Sequence, residues 1–269
     1  MNTALKYDEQ LRTFQPIVFQ GLKFYPLQVK HFALYQSAKP AMELMLSTLP
    51  LRYVRCTWIE ALEALDREAA EKSIQTGFFV SFLLLLDAAL RTDAIHRSGT
   101  LIPLHGEDGK LQAIAVKQEG EETKALCAKD MNTVREILAA QNGYSIPDEN
   151  WNPELVRAQA YIREQESGTA KGGSLEDAVF ALAAAVGQRP AEIWDWPIRE
   201  FQGMKSAVDR RLRFQIYLTA ELSGQVKFKN GNPYPTWVWE NRSELPRGFT
   251  SLTELDKGAK GLLGASNET

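Results

Sequence analysis

Gly77-Phe-Phe-Val-Ser-Phe-Leu-Leu-Leu-Leu-Asp-Ala-Ala-Leu90 is the longest apolar run in the chain, broken only by Ser81 and Asp87. A bilayer crossing needs about 20 apolar residues, so this run is too short to span one. It predicts a helix buried in a protein core. Phe78, Phe79, Phe82, Leu83 and Leu86 are too apolar to face water together. A helix buried on most sides needs other elements packed around it, and the flanking sequence supplies candidates.

Upstream, Leu51 to Glu71 carries Val54, Trp58, Leu62 and Leu65 at spacings of four, four and three. That is one apolar stripe on an amphipathic helix. Val29, Phe32, Ala33 and Leu34 begin another helical stretch, which Pro40 interrupts or restarts. Before it, two β-prone runs over 17–27 flank Gln20-Gly21, a hairpin signal in which Gly21 supplies a positive φ.

Downstream the character changes. Leu101 to Leu126 is β-prone, with turn signals at Gly106-Glu-Asp-Gly109 and Gln118-Glu-Gly-Glu-Glu122, and a hairpin is expected over about 111–126. Asp130 is placed to cap a helix from Met131 to Ala140, closed by Asn142-Gly143. Asn152-Pro153 opens a polar helix to about Glu166. Ser167 to Gly173 reads as a linker. Ser174-Leu-Glu-Asp177 forms a capping box for an alanine-rich helix over 178–186. Pro190 starts a short helix through Trp194. Pro197 starts a long one to about Ser223, with Phe201, Met204, Val208, Leu212 and Ile216 on one stripe.

The expected architecture is therefore α+β, predominantly α-helical, with small β-hairpins near 17–26 and 111–126. Residues 1–166 form an N-terminal mixed region. Residues 174–241 form a C-terminal helical region that ends in an extended aromatic segment. Residues 242–269 hold too little apolar material to offset the entropy of ordering, and are expected to be a disordered tail.

The 269 residues carry 31 basic and 34 acidic side chains, a net charge of −3, which gives no general footprint for nucleic acid. Met1 to Phe14 is polar and charged, unlike a signal peptide. Cys56 and Cys127 form no CxxC pair and read as two buried free thiols in a reducing compartment. His31, His96 and His105 have no HExxH spacing, and no serine sits in a GxSxG elbow. No catalytic, cofactor-binding or metal-ligating residue is nominated, and no cofactor is expected. A local basic run, Lys205, Arg210, Arg211 and Arg213, leaves open a nucleic-acid-associated role. An enzyme whose site is assembled only by the fold is the other alternative.

The aromatic groups are the remaining signal. Trp194 with Trp196, and Tyr234 with Trp237 and Trp239, suit either a core or a partner-binding surface, because large aromatics dominate both.

Several stretches resemble a group of bacteriophage and prophage proteins. They are Phe24-Tyr-Pro-Leu27, Ser47-Thr-Leu-Pro-Leu-Arg-Tyr53 and Ala61-Leu-Glu-Ala-Leu65. Further on come Gln141-Asn-Gly143, Pro147-Asp-Glu149 and Asn152-Pro-Glu-Leu155. Arg213-Phe-Gln-Ile-Tyr-Leu-Thr-Ala-Glu-Leu-Ser-Gly224 with Val226-Lys-Phe228 belongs to the same set. Val186-Gly-Gln-Arg-Pro-Ala-Glu-Ile-Trp194 with Pro197-Ile-Arg-Glu-Phe201 is similar to the short helix pair of phage tail-assembly chaperones. The resemblance implies a non-enzymatic role in tail and virion morphogenesis, as an assembly chaperone or minor tail component. Its implied partners are tape-measure or tube subunits, without nucleic acid or membrane. The implied location is the cytoplasm of a bacterial host, or the virion.

Overall fold

The computed structural model describes residues 6–53, 55–74, 76–92, 100–107, 109–118, 121–146, 154, 173–224, 232 and 236–238. The protein is α+β and predominantly helical. It divides into two compact units, Met1–Gly203 and Met204–Thr269. The expected linker over 167–172, the polar helix over 155–166 and the tail over 242–269 lie outside the described residues.

The first unit is built around the run that opens the sequence. Helix α1 (Asp8–Thr13) leads into strands β1 (Ile17–Phe19) and β2 (Leu22–Phe24), then helices α2 (Phe32–Met42), α3 (Trp58–Glu71) and α4 (Phe78–Leu90). Phe79, Phe82, Leu85, Leu86, Ala89 and Leu90 of α4 are buried, and α4 packs against both α2 and α3. Phe78 and Leu83, expected in the core, are only half-buried at its margin. Val80 and Leu84, one turn apart, face solvent.

The start of α4 has no cap of its own. Gly77, at the N-cap position, has φ +65° and no side chain to accept a hydrogen bond. Asp66 of α3 supplies the cap instead. Its Oδ1 accepts from the Phe78 N–H at 2.8 Å and the Thr76 hydroxyl at 2.7 Å, and its Oδ2 accepts from the Phe79 N–H at 2.8 Å. Two orphan donors of α4 are thus satisfied by a carboxylate on the neighbouring helix, which fixes the α3–α4 turn.

Helix α3 begins later than the apolar spacing suggested. Leu51–Tyr53 is a 3-10 turn, and Thr57 caps Trp58 through a complete capping box with Glu60. Val54 lies outside the described residues. Trp58 and Leu62 are buried, with the Trp58 ring edge-on to Phe82 at 4.9 Å. Pro40 does not divide α2. The helix continues through it to Met42.

The second sheet is a meander of β3 (Thr100–His105), β4 (Leu111–Lys117) and β5 (Lys124–Cys127), in antiparallel order β3-β4-β5. The hairpin expected over 111–126 is β4–β5. Strand β3 lies in the stretch read as β-prone but outside the expected hairpin, and it contains Pro103. Here β3 is an edge, where a missing donor is tolerated.

Helix α5 (Met131–Asn142) follows, ended by Gly143 at φ +79°. Asp130 does not cap it as expected. Its carboxylate accepts from the Cys127 N–H at 3.2 Å, closing the 3-10 turn that precedes α5. Arg135 of α5 is buried over the Trp58 ring at 4.7 Å and donates to the carbonyls of Met42 and Leu44 at 2.8 and 2.7 Å. It ties α5 to the end of α2. Cys56 and Cys127 are free thiols, half-buried rather than fully buried.

Helices α6 (Leu175–Val186), α7 (Pro190–Ile193) and α8 (Ile198–Leu222) complete the described elements. Ser174 and Asp177 form the expected capping box of α6, and their hydrogen bonds hold the Asp177 carboxyl below its ordinary pKa. Among the described residues, no helix is long and apolar enough to cross a membrane.

The central packing gives a direct test. Phe82→Ala should cost about 3–5 kcal/mol in chemical denaturation. Val80→Ala, on the solvent side of the same helix, should stay within about 0.5 kcal/mol. Equal effects at the two positions would show that α4 does not present this face to the core.

Candidate functional site

The first aromatic pair is placed by backbone hydrogen bonding. After β2 the chain continues extended, and its polar groups meet the segment that carries the tryptophans. The N–H of Val29 donates to the Trp196 carbonyl at 2.9 Å, and that of Lys30 to the Trp194 carbonyl at 3.0 Å. The N–H of Ile198 donates to the Leu27 carbonyl at 2.8 Å, and Gln28 forms an antiparallel bridge with Pro197. Gln28 and Lys30 also hold Asp195, at its carbonyl and carboxylate respectively. Trp194 and Trp196 are therefore fixed by their main chain. Their side chains are half-buried, between core and surface.

Three buried amides secure β2 and the backbone that follows it. Asn142 Oδ1 accepts from the Leu27 N–H at 2.8 Å. Gln141 Nε2 donates to the Phe24 carbonyl at 2.8 Å. Gln118 Nε2 reaches the carbonyls of Lys23 and Leu90, at 3.0 and 2.8 Å, while its Oε1 accepts from the Lys23 N–H at 3.1 Å. Sequence reasoning did not nominate these residues. Asn142-Gly143 reads as a helix end, yet the Asn142 side chain also reaches Leu27, and Gln141 beside it reaches Phe24 at the end of β2.

The second unit presents a different surface. In α8 beyond Gly203, Met204, Val208, Leu212 and Ile216 repeat every four residues and so form one ridge. Phe201 of this expected stripe is buried in the first unit. Past it most of the ridge is uncovered: Leu212 is 53% exposed and Ile216 65%, with Met204, Leu218 and Leu222 also exposed, while Val208 is half-buried. Arg210, Phe214 and Tyr217, on another side of the helix, are half-buried. There Arg210 Nε donates to the Trp237 carbonyl at 3.4 Å, and the Asn232 amide donates to Glu221 at 3.0 Å. The described parts of the aromatic segment thus return along α8 on the side away from the ridge. The Trp237 indole remains 43% exposed. Tyr234 and Trp239 lie outside the described residues.

The basic run is divided. Asp209 pairs with Arg213 at 3.0 Å, and Arg210 turns toward Ser206 and Trp237. Lys205 and Arg211 are exposed and make no ion pair among the described residues. His105 meets Glu63 at 2.7 Å, and His96 lies outside the described residues. No three His, Cys, Asp or Glu side chains converge as metal ligands among the described residues. No family model matches the chain, and neither the curated proteins nor the solved structures yield a significant match.

Glu200, in the first turn of α8, has its pKa raised by burial. The folded state therefore favours the protonated form. The stability from this preference is present below the unfolded pKa and is lost as pH rises through the folded one. Glu200→Gln should therefore be more stable than the parent at neutral pH. The gain should vanish on acidification through the carboxylate range. A gain independent of pH in thermal melts would assign the effect to packing instead.

Proposed function

We propose that the protein acts by binding other proteins, as a non-enzymatic chaperone or minor component of bacteriophage tail assembly. The observation that carries the binding role is the uncovered ridge of α8. A contiguous apolar ridge in water is a recurrent mark of an interaction surface. Helix-in-groove contact is the mode such a ridge suits. The phage assignment rests on the sequence resemblance, whose motifs include the α6–α7 junction and most of α8. On this reading the partners are tape-measure or tube subunits met in the host cytoplasm.

Co-expression with any tape-measure and tube subunits encoded in the same genome tests the proposal. A stable complex with one of them is the expected result, and Leu212→Glu with Ile216→Glu should reduce its yield at least severalfold. Absence of any complex, with the chain folded and monodisperse, would overturn the tail-assembly reading. Salt-dependent DNA binding that is lost in Lys205→Glu with Arg211→Glu would favour the nucleic-acid role instead.

A further inference from the structure

The charges beside the α8 ridge narrow the kind of partner it fits. At about 100° per residue, the ridge from Met204 to Ile216 sweeps about 120° of the helix surface. Lys205 borders one margin and Arg211 the other. Asp209, on the Lys205 side, is neutralised by Arg213 within the same helix. From Met204 to Leu222 the helix holds four basic and two acidic residues, inside a chain of net charge −3. An apolar ridge with a cation on each margin is complementary to an apolar line flanked by carboxylates. We infer that the α8 ridge docks an acidic amphipathic helix of a partner protein, with the partner's Glu or Asp side chains meeting Lys205 and Arg211. This deepens the protein-binding reading and depends on it.

A second copy of α8 fits the ridge poorly. In an antiparallel pair centred between Val208 and Leu212, the two Arg211 side chains fall on the same margin, about 3 Å apart along the axis. In a parallel pair, the Arg211 margin of one copy meets the Lys205 margin of the other. Both arrangements bring like charges together. An anionic membrane fits less well than a helix, because the side of α8 opposite the ridge lacks the strongly charged face of an interfacial helix. Phe214 and Tyr217 lie there beside Arg210, and all three are half-buried.

The test uses the full chain and two synthetic helical peptides of roughly 20 residues. They share a leucine ridge at every fourth position and carry either Glu or Lys along both margins. Fluorescence anisotropy at low ionic strength should show the Glu-flanked peptide binding roughly tenfold tighter than the Lys-flanked one. Added salt should narrow that difference. Lys205→Glu with Arg211→Glu should reverse the preference, and Ile216→Glu should weaken both peptides. All three residues are exposed, and circular dichroism confirms that the variants stay folded. Equal binding of both peptides, or binding of neither, would overturn the inference. So would ridge-dependent binding to phosphatidylglycerol vesicles without peptide preference, or a dimer in sedimentation equilibrium that Ile216→Glu dissolves. Peptide discrimination without any tail-subunit complex would leave this inference standing and remove the tail-assembly reading. A tail-subunit complex without discrimination would do the reverse.

Discussion

The first unit depends on one strip of backbone, Phe24 to Lys30, which turns into a 3-10 helix at Val29 and whose polar groups must be satisfied although much of it is buried. Phe24, Leu27 and Val29 are all but inaccessible to solvent. A buried, unsatisfied amide or carbonyl costs about 1–3 kcal/mol, so each such group needs a partner. The partners come from separate parts of the chain. Ala89 at the end of α4 accepts from the Tyr25 N–H at 2.8 Å, and Asn142 at the end of α5 accepts from Leu27. The carbonyls of Trp194 and Trp196 accept from Lys30 and Val29. The strip is thus where the apolar helix α4, the helix α5 and the tryptophan segment meet.

That constraint accounts for features that packing alone leaves unexplained. Gln118, Gln141 and Asn142 are buried amides in an apolar region, where each would be destabilising without partners. Gln118 bonds the backbone of Lys23 and Leu90, Asn142 that of Leu27 and Leu138, and Gln141 that of Phe24 through its Nε2 alone, its buried Oε1 having no partner among the described residues. The Tyr25 ring, on the same strip, carries the Arg91 guanidinium at 3.8 Å from its centre, just past the end of α4. Burial of α4 provides the hydrophobic drive, and the amides fix the register in which the strip crosses it.

Much of this architecture was legible in the sequence, for local reasons. The Gln20-Gly21 turn, the Ser174–Asp177 capping box and the Gly143 helix end are short-range patterns with a single physical solution. They appear where expected. What failed to show was non-local. Asp66 caps a helix across a loop. Pro103 sits in a strand because that strand is an edge. Gln118 binds a strand 95 residues away. None of these follows from spacing, because each is decided by which elements become neighbours. The aromatic residues show the same limit. The carbonyls of Trp194 and Trp196 accept main-chain hydrogen bonds that the ring chemistry does not announce, and the α8 stripe reads as core by periodicity, yet Met204, Leu212 and Ile216 are solvent-exposed and Val208 is half-buried.

Hydrogen exchange of the full chain, followed residue by residue, tests the role of the strip most directly. The amides of Tyr25, Leu27, Val29, Lys30 and Ile198 should exchange only through global unfolding, as slowly as those of Phe82 and Leu86 in α4. Exchange of these five at the rate of exposed loops, while α4 stays protected, would show that the strip is peripheral and that the first unit is held together without it.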